Sequence, residues 1–443
     1  LYKQVLPIPV RLHSMSKETY NVKPAPNTSF FTPEQPRIGA FVGYLDGSSR
    51  DARPPPALFS PLTVRSLTFP NRIGVSPMCT YSSDNYIPTL YHAIHYGAMA
   101  ARGPGMIIVE AAAIDQPGAV SPNDLGIWTE EQAHAHYKQI VEFAHSQNCA
   151  IGLQLSHGGR KAGGAALYKH LERTLTKEEG GWPGNLVAPS PGAFRPGYAY
   201  SGRPHELTRS EIHDLVRKWG HAARLAAEVA RYDFVEIHAA HGYLISEFYS
   251  ATSNKRKDEY GGSFENRTRF LLEIVDEVRR NIPEGMPLFM RISASENSEE
   301  PGAWSLEDSV RLSNEIAKRG VDVLDVSSGG ISPNQKPKLP TTRPGLKHSA
   351  YAKALKDAHR DDGGLLIAAS GGISTAAVSN ELIETAEQDI VLVGKSFLKN
   401  PGLAWAWADD LGIQVEQEAQ YAWGFHPNMQ QMAEVYSADS SRT

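Results

Sequence analysis

Short apolar, β-branched runs alternate along most of the chain with longer charged stretches of helical period. The strand-like runs are Arg72–Cys79, Gly105–Ile114, Ala150–Ser156, Asp233–Ala239, Pro287–Ser293, Val321–Ser328, Leu365–Gly372 and Asp389–Lys395. Among the stretches between them, Glu130–Asn148, Thr208–Arg231, Phe264–Asn281 and Leu306–Arg319 carry apolar residues at helical spacing. Thr129 stands before the first of these helices, and Ser305 with Asp308 opens the last, both N-terminal capping signals. Eight β-then-α units in sequence predict an α/β protein whose parallel sheet closes on itself, a (β/α)8 TIM barrel. A doubly wound open sheet would instead place a Gly-x-Gly-x-x-Gly turn early in the chain, and none is found there.

The periodicity fades at both ends. Residues 1–57 hold Pro24, Pro26, Pro33, Pro36 and Pro54–Pro56, which predicts an extended arm wrapping the surface or a neighbouring subunit. The barrel is expected over residues 58–412, followed by a tail over 413–443. The insertion Gly158–Arg203 follows the third strand and is rich in Gly, Pro and aromatics (Trp182, Phe194, Tyr198, Tyr200). It is expected to cap the catalytic face, as surface decoration or as a substrate lid.

Composition narrows the function. The 443 residues are 41% hydrophobic, with no apolar run of the ~18 residues that a membrane helix needs. A net charge of −5 gives no reason to expect nucleic acid or an anionic membrane as partner. No charged n-region leads into an apolar h-region, so the expected location is cytoplasmic. Two cysteines, Cys79 and Cys149, are too few for a disulfide scaffold or a four-cysteine iron–sulfur cluster.

Chemistry concentrates around residues 233–267. The run Asp233-Phe234-Val235-Glu236-Ile237 reads as a buried strand, and at its carboxyl end stand His238, His241 and Tyr243. That end of a barrel strand is where such enzymes place their reacting groups. A single His would more often be a satisfied core residue; two His three apart, with Tyr243 beyond them and a Gly-Gly loop behind, indicate a site.

This segment resembles the old yellow enzyme family of FMN-dependent ene-reductases. That family ends a strand in His-x-x-His (or His-x-x-Asn) and Gly-Tyr. It continues with Ser-Asn-x-Arg-x-Asp-x-Tyr-Gly-Gly-Ser-x-Glu-Asn-Arg, matched here from Ser253 to Arg267. Ser76-Pro77-Met78-Cys79-Thr80-Tyr81 is similar to the thermophilic-like subgroup. The resemblance implies that the Pro77–Met78 backbone cradles the isoalloxazine and that Ser76 belongs to the same flavin-binding stretch. It implies that Cys79 tunes the redox potential without attacking anything, and that Tyr81 borders the substrate pocket. Taken alone, Cys79 would be a small buried hydrophobe, as Cys149 is expected to be. Ala111 then contacts FMN at the second strand, and Gln154 bonds the pyrimidine edge from inside the barrel. Arg291, costly in its apolar strand unless paired, faces the flavin edge that gathers negative charge on reduction. Phosphate is expected at Ser370, Gly371, Gly372, Gly394 and Lys395, at the ends of the last two strands. The family usually has Arg at the last position; Lys395 is a point charge, so looser binding is expected. Trp304 is expected to line the substrate pocket, with a surface aromatic as the equal alternative. Trp423 takes the place of a tail arginine that, in the subgroup, reaches a neighbouring active site, so a homodimer or higher homo-oligomer is expected.

The implied activity is ping-pong NADPH (or NADH) oxidation with reduction of a small enone or enal at its C=C bond. His238 and His241 would hold the carbonyl oxygen, hydride would pass from FMN N5 to Cβ, and Tyr243 would protonate Cα. Three rivals stand beside it. They are a redox-neutral flavin isomerase, which tends to lose the tyrosine; a metal enzyme using the two histidines, for which no carboxylate motif completes the ligand set; and a non-catalytic flavin carrier.

Overall fold

A computed structural model describes residues 22–48, 53–169, 173–194, 202–336, 346–360 and 364–425. Eight parallel strands close into a barrel: β1 (Ile73–Val75), β2 (Met106–Ala113), β3 (Ala150–Ser156), β4 (Phe234–Ala239), β5 (Leu288–Ser293), β6 (Val323–Ser327), β7 (Leu366–Ala369) and β8 (Ile390–Val393). Each pairs with its sequence neighbours, and β8 pairs with β1 through Val391–Ile73 to Val393–Val75, which closes the ring. Helices run between the strands, among them Arg209–Arg224, Phe264–Asn281 and Leu306–Ala317. Thr129 caps its helix reciprocally with Gln132, and Ser305 does so with Asp308.

The period of two along each strand sorts the side chains into inner and outer sets. Met106, Ile108, Phe234, Phe289, Val323, Ala368, Ile390 and Leu392 fill the barrel interior. The hairpin Leu62–Val64/Leu67–Phe69 plugs the amino-terminal end, with the Phe69 ring 6.0 Å from Phe234 and Phe289 4.6 Å from Phe234. Two residues further along the same parity come Gln154, Glu236, Arg291 and Asp325, and two further His238, Ser293 and Ser327. The barrel is therefore apolar at its base and polar towards the carboxyl ends of the strands.

One strand breaks the alternation usefully. Val109 pairs with Leu153, but it is Ala112 that pairs with Leu155, so β2 carries one extra residue. The bulge turns Glu110 out to Tyr96 of the helix Leu90–Ala100, whose hydroxyl donates to Glu110 Oε2 at 2.9 Å. It leaves Ala111, a residue small enough to admit a flat ligand, at the barrel mouth.

The described part of the arm wraps its own chain. Phe41–Tyr44 pairs antiparallel with Ile413–Val415, so the arm and the beginning of the tail form one ribbon. Asn71 Nδ2 donates to Gly39 O, and Asn148 Nδ2 to Gln35 O, fastening the arm to the barrel's amino-terminal side. The described part of the insertion is anchored by Trp182, whose Nε1 donates to Pro117 O at 3.1 Å; Tyr198 and Tyr200 lie outside the described residues. No described helix is long and apolar enough to cross a membrane.

The interior aromatic stack generates the first prediction. Phe289→Ala removes a ring held between Phe69 and Phe234 in the sealed base, and should destabilise the protein by about 3–5 kcal/mol in urea unfolding. A loss below about 1 kcal/mol would mean the base is not close-packed.

Candidate active site

The site is built on strand ends. His238 closes β4, and its Nδ1 accepts the Ala240 N–H at 3.2 Å, which places its own proton on Nε2. The chain then turns sharply. His241 is left-handed (φ 61°), its N–H donates to Ser293 Oγ at 2.9 Å, and its carbonyl accepts from Lys161 Nζ at 2.8 Å. The turn brings His241 Nδ1 to 3.4 Å from His238 Nε2, with the two rings edge to face. On the far side of the ring, His241 Nε2 meets Ser327 Oγ at 2.6 Å. A ligand oxygen to one side of the two nitrogens is served by both only when Ser327 donates to Nε2 and His241 carries its proton on Nδ1. The Tyr243 ring lies 5.0 Å from that of His238, at the start of the short helix Leu244–Tyr249.

Both imidazoles are held neutral. Burial, reinforced by His241 and by the positive charges of Arg291 and Lys161, pushes His238 well below the ordinary imidazole range. Burial, then Arg291 and Lys161, takes His241 down to about 3.

Below these rings is a buried polar layer. Arg291 donates from Nε to Asp325 Oδ2 at 2.5 Å and from its terminal nitrogen to Ser76 Oγ at 2.9 Å. Gln154 Nε2 donates to Glu236 Oε1 at 2.7 Å. Arg291 thus has the partner that its apolar strand demanded, and Ser76 ties β1 to the same cluster. The Cys79 thiol contacts the Ala111 backbone; burial and the nearby Asp124 and Glu110 carboxylates raise it well above the ordinary thiol range. It is a thiol at neutral pH, suited to a polarizable neighbour and not to a nucleophile. Cys149 is buried beside β3 and its thiol is likewise pushed up, chiefly by burial.

At the other rim, Gly371 (φ 99°) and Gly372 (φ 87°) follow β7 in conformations that side chains disfavour. Lys347 N donates to Gly371 O at 2.9 Å, and His348 Nδ1 to Ser370 O at 2.8 Å, so the segment 346–348 packs on this turn. Gly394 follows β8 where a Cβ would stand 3.2 Å from Met78 Sδ, and exposed Lys395 comes next. Buried amide and guanidinium donors at one end, and a glycine-lined rim with a lysine at the other, fit a flat cofactor ending in phosphate. These residues would hold FMN: Ser76, Pro77, Met78, Ala111, Gln154, His238 and Arg291 at the ring, and Ser370, Gly371, Gly372, Gly394 and Lys395 at the phosphate.

One aromatic expectation comes out differently. Trp304 does not line a substrate pocket: at 2% exposure it packs between Tyr249 and Phe264, and its Nε1 donates to Ser309 Oγ. Its indole N–H has found a partner inside the helix layer, so the residue is core, and neither of the two alternatives describes it. Trp423 is 70% exposed on the turn Ala419–Gly424. Tyr81 is left-handed (φ 54°) and faces Tyr168 of the insertion at 6.1 Å.

Sequence reasoning missed Glu236, Asp325, Ser293, Ser327 and Lys161. The first four share inward parity with residues already singled out, so the period of two was the available signal. Lys161 carried none.

The chain matches the NADH:flavin oxidoreductase / NADH oxidase family over residues 57–411. It is 39% identical over 411 residues to NADH:flavin oxidoreductase FG08077 of Gibberella zeae, covering 90% of this chain and 95% of that one. It is 38% identical over 370 residues to an NADPH dehydrogenase of Geobacillus thermodenitrificans, covering 83% of this chain and 98% of that one. Among solved structures, morphinone reductase in complex with tetrahydroNAD superposes with a TM-score of 0.65 at 26% identity, over 82% of this chain and 93% of that one. The barrel, the buried donor set and these likenesses agree: the chain belongs to the NADH:flavin oxidoreductase / NADH oxidase family, as an FMN-dependent NAD(P)H oxidoreductase of the old yellow enzyme type.

Proposed function

We propose that this oxidoreductase reduces the C=C bond of small α,β-unsaturated carbonyl compounds by a ping-pong cycle, with His238 and His241 holding the carbonyl and Tyr243 supplying the proton. The observation that carries this reading is the pair of neutral imidazoles whose Nε2 and Nδ1 face each other at 3.4 Å beside a tyrosine. FMN, when bound, supplies two-electron transfer between the nicotinamide and the substrate.

The rest falls to the chain. Two neutral N–H donors converging on one point stabilise an oxygen on which negative charge grows, and they gain strength as it grows. An imidazolium would instead donate its proton outright, which is why lowering both histidines matters. Ser327 fixes the far nitrogen of His241 and with it the direction of the near one. Tyr243, whose ring lies beside that of His238, can deliver its phenolic proton to Cα. Phe194 of the insertion lies over Lys161 at 4.1 Å, beside this cluster, which supports a role for the insertion in covering the substrate.

A homodimer with a shared active site remains part of the proposal. Tyr91 and Ile94 on one helix and Leu398 nearby are exposed at a cleft of ≈390 Å³ that Met78, Cys79 and Thr80 also line. A neighbour's Trp423 packing into that cleft would cover the apolar side chains and close the pocket without charge. Truncation after Glu418 should then lower the mass seen by sedimentation and raise KM for the enone; unchanged values for both would remove this part.

The central test is anaerobic visible absorbance. Flavin absorbance should bleach with NADPH and return with cyclohexenone. Bleaching without return would remove the enone as oxidant. Tyr243→Phe should leave bleaching unchanged and slow the return roughly 10²–10⁴-fold; equal rates in the variant would exclude Tyr243 as the acid.

The neutral histidines also predict an acid limb in stability. Folded His241 refuses a proton that the unfolded chain accepts below about pH 6.5, so its contribution is complete above that pH and is lost as pH falls towards about 3. Between about pH 6.5 and about pH 5 this amounts to at most about 2 kcal/mol. His241→Asn should show a correspondingly shallower decline in urea unfolding over that interval.

A further inference from the structure

The layer beneath the histidines has more negative groups than positive ones. Glu236, Asp325 and Arg291 come from β4, β6 and β5, and the two carboxylic residues are fully buried. Arg291 is spent on Asp325 Oδ2 and Ser76; its Nε lies 4.0 Å from Glu236 Oε1, beyond hydrogen-bond reach. Glu236 Oε1 takes its hydrogen bond from Gln154. Glu236 Oε2 and Asp325 Oδ1 are left buried with no donor among the described residues, yet the two carboxyl groups lie within hydrogen-bond reach of each other. Among the described residues, Arg291 is the cation that acts on the pair; His238 is neutral and Cys79 is a thiol.

With both carboxylates ionised, this cluster carries a net negative charge and two buried acceptors without a donor among the described residues. A single proton shared by the two carboxyl groups removes the excess charge and makes one group a hydrogen-bond donor to the other. We propose that Glu236 and Asp325 share one proton, and that its presence sets the charge of the Arg291 cluster and thereby the reduction potential of the FMN held there. Burial raises both carboxyls above their ordinary range, Glu236 the more strongly, in line with this sharing. The inference rests on the reading that Arg291 and Gln154 hold the flavin's pyrimidine edge. Glu236 and Asp325 are then positioning residues that act through Arg291 and Gln154, not catalytic ones.

The electron and proton count makes the idea testable. Reduction brings two electrons and one proton to the flavin. While the pair keeps its proton in both redox states, one proton is taken up per two electrons. At alkaline pH the pair of the oxidised protein has released its proton to solvent, leaving excess negative charge near Arg291. Negative charge arriving on the flavin then favours recapture, and uptake rises to two protons per two electrons.

The experiment is potentiometry of the FMN-loaded protein with dithionite and mediators, from about pH 6 to about pH 10, paired with pH-difference infrared spectroscopy of the same sample. The expected result is a rise from one proton to two per two electrons at alkaline pH. A carboxylic-acid carbonyl band should vanish over the same range. Glu236→Gln, a neutral mimic of the protonated pair, should hold the count at one throughout and lack the band. An FMN-loaded wild-type protein with a count of one at every pH and no such band would overturn the proposal, whether or not the variant folds. Protein that binds no FMN would instead overturn the cofactor reading, while the infrared band would still decide whether the proton is shared.

Discussion

Arg291 sits inside a closed barrel, where an unpaired guanidinium would cost several kcal/mol, and most of the site follows from how that cost is met. Asp325 on the next strand and Ser76 just after β1 take its hydrogen bonds, so the ends of three strands are fixed to one another. Asp325 and Glu236 together overshoot the charge they balance. Gln154 is drawn in to serve Glu236, and His238, one step up on the strand of Glu236, is held neutral by burial and by the cation below it. An apolar layer there would pack as well or better and would leave nothing to receive a polar cofactor edge. The charge cluster is retained at an energetic cost because it pre-organises donors towards the barrel mouth.

The long motif from Ser253 to Arg267, the most legible sign of family, makes no visible contribution to chemistry. Asn254 Nδ2 donates to the carbonyls of Phe248 and Tyr260, both at 2.7 Å. Buried Arg256 pairs with Asp258 through two hydrogen bonds and donates to the carbonyls of Pro189 and Leu207. Arg267 Nε reaches Tyr249 O at 2.8 Å. Apart from the Arg256–Asp258 pair, each of these bonds satisfies a backbone carbonyl in or beside an irregular segment with little access to water. The loop is a brace behind the helix that starts at Tyr243, and its sequence is demanding because buried loops have few ways to meet their hydrogen bonds.

The barrel could be read from sequence because buried parallel strands leave continuous apolar runs, and because their inward positions stay in register with one another. That reading located Gln154, His238 and Arg291 correctly within the interior. It did not reach Glu236 and Asp325, although the cost argued for Arg291 required an anionic partner at the same parity on a neighbouring strand. The Val109–Ala112 bulge was beyond it, since an inserted residue leaves no mark on composition; Ala111 was placed by likeness alone. Trp304 failed for a different reason. A tryptophan in a loop after a strand end suggests a pocket, but Ser309 of the following helix offered its N–H a partner within the core.

The geometry of the histidine pair depends on one strained residue. A left-handed His241 costs of order 1–3 kcal/mol and persists only where its surroundings over-determine it. Ser293 holds its N–H, Lys161 its carbonyl and Ser327 its ring. The next residue must be glycine, because a Cβ on Gly242 would stand 2.1 Å from the Gly330 carbonyl oxygen. Lys161 also donates to that Gly330 carbonyl, so one ammonium joins the turn after β4 to the turn after β6. Lys161 belongs to the beginning of the insertion after β3, and Phe194, later in the same insertion, lies over it. The segment that reads in sequence as a cap over the barrel thus reaches beneath its own cover and fixes the backbone of His241. Removing the cap would take away part of what holds the donor pair in place, and would not simply open the pocket.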